Sequence, residues 1–254
     1  MLVILSPSKT IRKNTDHSFE HFTLPVFLSQ AEQVVNTLKK LNTEELRSIL
    51  KTSPKLTYEA QESFQLWNLQ HSTNNSTQSI LAFNGDVYAG MNAGELSNDT
   101  FLYSQDHLII LSGLYGALRP FDLIQNYRLD VGNSLKIGKD NLYSFWKRRV
   151  TDFVNRQLLI SNNHYLVNLA SHEYFSMLGV KSIKGKMITP VFKDYSSGKY
   201  KIVSVFAKKA RGKMARFIFE NKVNNPEVLK TYEGDGYYYD ENTSTSEIFT
   251  FLRR

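Results

Sequence analysis

The chain has 254 residues, with 41% hydrophobic and 13% aromatic side chains, enough to fill a sizeable core without a long Pro/Ser/Gly linker to divide it. It contains no cysteine, which excludes disulfides, thiolate metal sites, iron–sulfur clusters and cysteine nucleophiles. The net charge of +7 is unevenly spread: residues 136–222 carry 18 Lys/Arg against 5 Asp/Glu, whereas the segments on either side are each net acidic. Such asymmetry points to an anionic partner.

In chain order, Leu2–Leu5 is a short apolar run closed by Ser-Pro-Ser-Lys-Thr, a strand followed by a loop. MLVIL is too short for a signal-peptide core. No apolar run approaches the ~20 residues that span a bilayer. A soluble, cytoplasmic protein is expected, with no membrane partner. Val26–Leu41 reads as helix from the spacing of Phe27, Ala31, Val34, Val35 and Leu38. Asn42 with Glu45 resembles a capping box that opens a second helix through Leu50. Leu56–Leu69 is a third amphipathic helix, and 71–79 is a polar loop.

Ile80–Phe83 reads as a strand, and Leu108–Leu111 as a buried central one. Leu142–Ile160 predicts a long helix, and Tyr165–Leu169 a strand with a short helix from about Ser171. Met187–Phe192 and Tyr200–Phe206 flank Ser-Ser-Gly as a hairpin. Tyr237–Tyr239 and Ile248–Leu252 are late strands. The pattern predicts an α/β fold, a mixed sheet surrounded by helices in a single domain over 1–254.

VFAKKARGKMARFIFENK (205–222) holds six cations and one acid. On a helical wheel Ala207, Ala210, Met214, Phe217 and Ile218 share one face. Lys209, Lys213 and Arg216 lie opposite, and Arg211 is at the boundary. No acid stands four residues from Lys209 or Lys213 to relieve them. The helix reads either as a solvated face or as a surface for phosphates.

SGLYGALRPFDL (112–123) leaves a strand at a Gly-rich turn carrying Arg119 and Asp122, with Arg128 beyond. It reads as an anion site, because a guanidinium suits phosphate, or as a structural turn closed by an Arg119–Asp122 pair. Its Gly-Leu-Tyr-Gly is one residue longer than the glycine spacing of a helix-hairpin-helix. LVNLASHEYF (166–175) brings Asn168, Ser171, Glu173 and Tyr174 to a strand end, where α/β proteins place ligands. Glu173 reads as a general acid or base, or as an acid favoured by a helix N-terminus. Lys9 in SPSKT has the ending of a phosphate-binding loop without its glycines. The six histidines, His17 and His21 included, show no metal-ligand spacing, and no cofactor is expected.

LSPSKT, LAFNGDVYAG, LSGLYGALRPFDLIQNYRL, FW, NLASHEYF, ITPVFKD and FAKKARGKMARFIFEN occur in that order. Together they resemble the YaaA family of bacterial peroxide-stress resistance proteins, over essentially the whole chain. The resemblance implies a cytoplasmic protein of the hydrogen peroxide response that limits free iron and protects DNA. It implies a compact mixed α/β body whose basic cleft binds DNA, duplex or branched, with a helix-hairpin-helix-like element. The family's motif positions match Ser6, Lys9, Arg119, Asp122, Arg128, Asn168, Ser171, Glu173, Tyr174, Lys208, Lys209 and Arg211. Lys213 and Arg216 extend the phosphate-binding set on the helix. The alternative is an enzyme acting on a nucleotide or nucleic-acid base, for example by N-glycosidic bond cleavage, with Glu173 and Lys9 as catalytic candidates.

Overall fold

A computed structural model describes residues 1–12, 21–162 and 164–254; His17 lies outside them. An eight-stranded mixed sheet organises the chain. Its strands are β1 (Leu2–Leu5), β2 (Leu108–Ser112), β3 (Gly116–Leu118), β4 (Tyr165–Asn168), β5 (Lys186–Ser196), β6 (Lys199–Lys201), β7 (Tyr238–Tyr239) and β8 (Ile248–Arg253). The order is β7-β8-β5-β4-β1-β2-β3, with β6 paired to β5. β2, β1, β4, β5 and β8 run parallel, and the short β3, β6 and β7 pair antiparallel. Every residue of β1 and β2 is buried, as central parallel strands with both faces covered require.

The helices are α1 (Leu28–Leu38), α2 (Thr43–Leu50), α3 (Pro54–Leu66), α4 (Asp86–Met91), α5 (Asn98–His107), α6 (Leu142–Ile160), α7 (His172–Phe175) and α8 (Ser204–Glu220). The capping box on α2 forms: Asn42 Oδ1 accepts from the Glu45 N–H at 3.0 Å, and Glu45 Oε2 accepts from the Asn42 N–H at 2.9 Å. α6 runs over the residues its periodicity predicts.

Several expectations change. Ile80–Phe83 is not a strand. Ser79–Ala82 makes a helical turn, and only Phe83–Asn84 is extended. The Ser79 N–H and hydroxyl are drawn to the carbonyls of Asp122 and Arg119, at 2.9 and 2.8 Å, so a tertiary contact overrides β propensity. The Tyr200–Phe206 strand stops at Lys201, and α8 begins at Ser204. The Gly113–Gly116 segment is a buried turn between antiparallel β2 and β3, not a helix-hairpin-helix.

α8 buries more than one face. Ala207, Ala210, Met214 and Ile218 are covered as the wheel predicts, but Gly212, Ala215 and Phe219 are buried too. α4 packs along this second flank. A Cβ on Gly212 would lie 1.8 Å from the Val87 carbonyl oxygen, and one on Gly90 would lie 2.2 Å from that of Lys209. The two backbones therefore touch, and neither glycine tolerates a side chain. Gly212→Ala is expected to destabilise the protein by at least about 2 kcal/mol through overpacking against rigid backbone. Urea unfolding checks this; a midpoint equal to wild type would show that the helices separate freely.

Candidate functional site

The parallel strands end together on one edge of the sheet. Ser6 follows β1 there, and Ser171 follows β4. Ser6 Oγ accepts from the Ser171 N–H at 2.8 Å and donates to Ser171 Oγ at 3.1 Å. Ser171 Oγ in turn accepts from the Tyr174 N–H at 3.4 Å as the N-cap of α7. Asn168 Oδ1 turns the loop by accepting from the Ala170 N–H at 3.1 Å. The Tyr88 hydroxyl, from α4, donates to the Ser6 carbonyl at 2.9 Å.

A second chain of contacts crosses the same edge. Lys9 Nζ lies 2.8 Å from Asp130 Oδ2, and the Tyr174 hydroxyl donates to Asp130 Oδ1 at 3.1 Å. Arg128 Nη1 donates to the Lys9 carbonyl at 3.2 Å. One carboxylate thus joins an exposed ammonium to a buried phenol. Burial pushes the Tyr174 hydroxyl well above its usual range, and the nearby Asp130 charge adds to that. Tyr88 and Tyr127 are likewise held neutral by burial, Tyr127 beside Ser112 Oγ at 2.8 Å.

Glu173 is exposed at the start of α7 and reaches toward Gly132. A Cβ there would stand 2.4 Å from Glu173 Oε1 and 3.5 Å from the Tyr143 hydroxyl. Burial raises the Tyr143 hydroxyl, and the Glu173 and Asp130 charges raise it further.

The edge therefore brings together Ser6, Lys9, Arg128, Ser171, Glu173 and Tyr174, with Asn168 shaping the loop beneath them. Arg119 and Asp122 form a separate unit. Asp122 is buried and accepts from the Thr23 hydroxyl at 2.6 Å and the Arg119 N–H at 2.7 Å, with Arg119 Nη2 at 3.5 Å. Burial lifts its carboxyl to about 6, against the downward pull of Thr23 and Arg119. This pair closes the 119–122 turn, the structural alternative open in the sequence.

The cations of α8 divide. Lys213 pairs with Asp235, and Arg216 holds Glu220 Oε1 at 2.8 Å. Arg216 also caps the end of α4 through the carbonyls of Met91, Asn92 and Glu95, at 3.3, 3.1 and 3.3 Å. Carboxylates therefore do relieve this face, one of them from far along the chain. Lys208 lies 3.9 Å from Asp86. Lys209 is exposed, and neither it nor half-buried Arg211 has a hydrogen bond or carboxylate among the described residues. Burial alone lowers the Arg211 pKa.

Asp130, Tyr88, Tyr143 and Gly132 are not singled out by motif spacing. The one sequence signal for Asp130 is an acid set between Leu129 and Val131, both of which are buried. Among the described residues no three His, Asp or Glu side chains converge in a way that could hold a metal ion. No helix there is long and apolar enough to cross a membrane.

A mixed α/β body with polar side chains gathered at the carboxyl ends of its parallel strands is the class of protein these features define. The profile of the family described as peroxide stress protein YaaA matches residues 1–243. A UPF0246 protein of Alteromonas mediterranea is 45% identical across all of this chain and 98% of its own length. UPF0246 proteins of Shewanella woodyi and Aliivibrio fischeri are 44% and 41% identical, again over the whole of this chain and 99% and 98% of theirs. The chain belongs to this family of peroxide stress proteins.

Glu173→Gln removes a charge that disfavours the Tyr143 phenolate. The Tyr143 pKa should fall toward 10 while the fold is kept, and NMR titration of labelled tyrosine reads it. An unmoved Tyr143 would place the carboxylate elsewhere.

Proposed function

We propose that the chain serves the peroxide response by binding DNA phosphates at the carboxyl edge of its sheet. Lys208, Lys209, Arg211 and Arg128 supply the cations. The observation that carries this reading is Arg211, a half-buried guanidinium without an anionic partner among the described residues. Removing a charge from water without pairing it costs stability, so such a group is kept where a ligand supplies the counter-charge. Lys208, one turn before Arg211 on α8, extends the surface, exposed Lys209 adds charge on another side of the helix, and the net positive third of the chain supplies the long-range attraction. The proposal includes a cytoplasmic location and a role in limiting free iron and oxidative DNA damage.

Two readouts test it together. Affinity for a DNA duplex should fall with salt, with a slope of about −0.9 for each phosphate neutralised. Lys209→Gln with Arg211→Leu should weaken binding and flatten that slope. Arg211→Leu alone should raise the melting temperature of the free protein by about 2–4 °C, the shift that roughly 1 kcal/mol gives in a domain of this size. Salt-independent binding, or an Arg211→Leu protein that melts lower and binds normally, would overturn the proposal.

A second reading rests on a different observation, the Lys9–Asp130–Tyr174 chain with Glu173 beside it. Backbone binding needs neither a carboxylate nor a buried phenol. An enzyme acting on a nucleotide or a nucleic-acid base would use Glu173 to handle a proton and Lys9 to hold an anion or attack. Under this reading, a Glu173→Gln chain binds DNA normally but fails to restore growth of peroxide-challenged cells lacking their own copy. Full restoration would sink it.

A further inference from the structure

Past Ile188, which pairs with Val167 of β4, strand β5 continues to Ser196, roughly 25 Å at about 3.3 Å per residue, with β8 alongside it as far as Asp194. β6 folds back against its tip, so the β5–β6 hairpin lies beyond the end of β4, with β8 and β7 on its other side. Alternation gives the hairpin two faces. Asp194 points to the α8 side, bonded to the Tyr237 hydroxyl at 2.9 Å and to Arg253, whose guanidinium lies 4.6 Å from the Phe206 ring centroid. Tyr195 points the other way.

On that other face three strands bring tyrosines together. Tyr195 and Tyr200 are cross-strand partners with ring centroids 5.3 Å apart. The hydroxyls of Tyr200 and Tyr238 are 3.2 Å apart. Arg254 Nε donates to the Tyr200 hydroxyl at 3.2 Å, and its guanidinium lies 5.9 Å from the Tyr195 ring centroid. Tyr195 and Tyr238 are 50% and 44% exposed, so ring surface remains open to solvent. Lys199 and Lys201, exposed on either side of Tyr200, point to the opposite face, where Lys201 is the cross-strand partner of Asp194. Asp240, an acid close enough to act on Tyr200, is engaged by the N–H and hydroxyl of Thr243.

A cross-strand tyrosine pair alone would be accounted for by hairpin stability. Tyr238 and Arg254 belong to neither strand of that hairpin, yet they complete one patch with it. Open aromatic rings around a fixed guanidinium are the chemistry that holds unpaired bases, because every base offers a π-face and every linkage a phosphate.

We propose that Tyr195, Tyr200 and Tyr238, with Arg254 among them, form a stacking platform for single-stranded nucleic acid. This rests on the nucleic-acid reading above and adds the form of the strand. The platform faces away from α8. Duplex phosphates gripped beside Lys209 and unpaired bases stacked on the tyrosines therefore occupy opposite sides of the hairpin.

The test titrates the intact protein into a short oligothymidylate carrying one 2-aminopurine, and separately into a duplex. Stacking should quench the fluorophore. Tyr195→Leu with Tyr238→Leu should weaken single-strand binding by at least about tenfold, while duplex affinity stays within about twofold. Tyr195→Phe with Tyr238→Phe should keep both binding and quenching. Arg254→Gln, at an exposed position, should reduce single-strand binding without the risk of misfolding that the leucines carry. Single-strand binding that survives the leucines and the Arg254 change, or that leaves the fluorophore unquenched, would overturn the platform and leave the tyrosines as hairpin packing. Duplex binding without single-strand binding in the wild type would overturn the platform alone. Binding of neither would remove the nucleic-acid reading with it.

Discussion

The placing of β1 between β4 and β2, parallel to both, decides where chemistry can occur in this chain. Parallel strands in one register end on one edge, and the residues just past β1 and β4 leave the pairing of the sheet. Each loop there must satisfy its backbone by other means. Ser6 and Ser171 do this for each other, Asn168 for Ala170, and Tyr88 for the carbonyl of Ser6. The polar cluster is thus a solution to backbone valence before it is a site. The charged groups, Lys9 with Asp130 and Glu173 beside Gly132, are set on that frame.

What was legible in the sequence follows from what local pattern encodes. Leu108–Leu111 and Tyr165–Leu169 are readable because a strand covered on both faces is a continuous apolar run. Helix 142–160 is readable because nineteen residues give its period room to show. α4 is not. It has six residues and contains Gly90, and its stability comes from lying against Gly212, far along the chain. The same distance hides the ion pairs. The sequence shows Lys213 without a nearby acid, whereas the fold supplies Asp235. Ser6, Lys9, Ser171, Glu173 and Tyr174 were legible as residue types at strand ends. Asp130, which joins two of them, was not, because a lone acid between apolar neighbours gives no indication of its partner.

The basic helix illustrates how a charge count misleads. Of its cations, Arg216 is spent on closing α4 and Lys213 on Asp235, so the helix is partly a structural clamp. Lys208 lies near Asp86, and among the described residues Lys209 and Arg211 are left without a carboxylate, one exposed and one half-buried. The smaller set is the more informative, because a half-buried arginine without an anion among the described residues is a standing cost.

The central position of β1 also has a temporal side. Val3 pairs with Leu108 and Leu2 with Leu166. The chain is made from its amino end, so this strand leaves the ribosome long before either neighbour exists. It cannot be paired on both edges until residue 168 is free, and until then β2 alone can cover one edge of its four apolar residues. Pairings so distant in sequence are slow to close. β1 is therefore enclosed on both edges only after β4 has been made, and the interval in between is when a chaperone would find it.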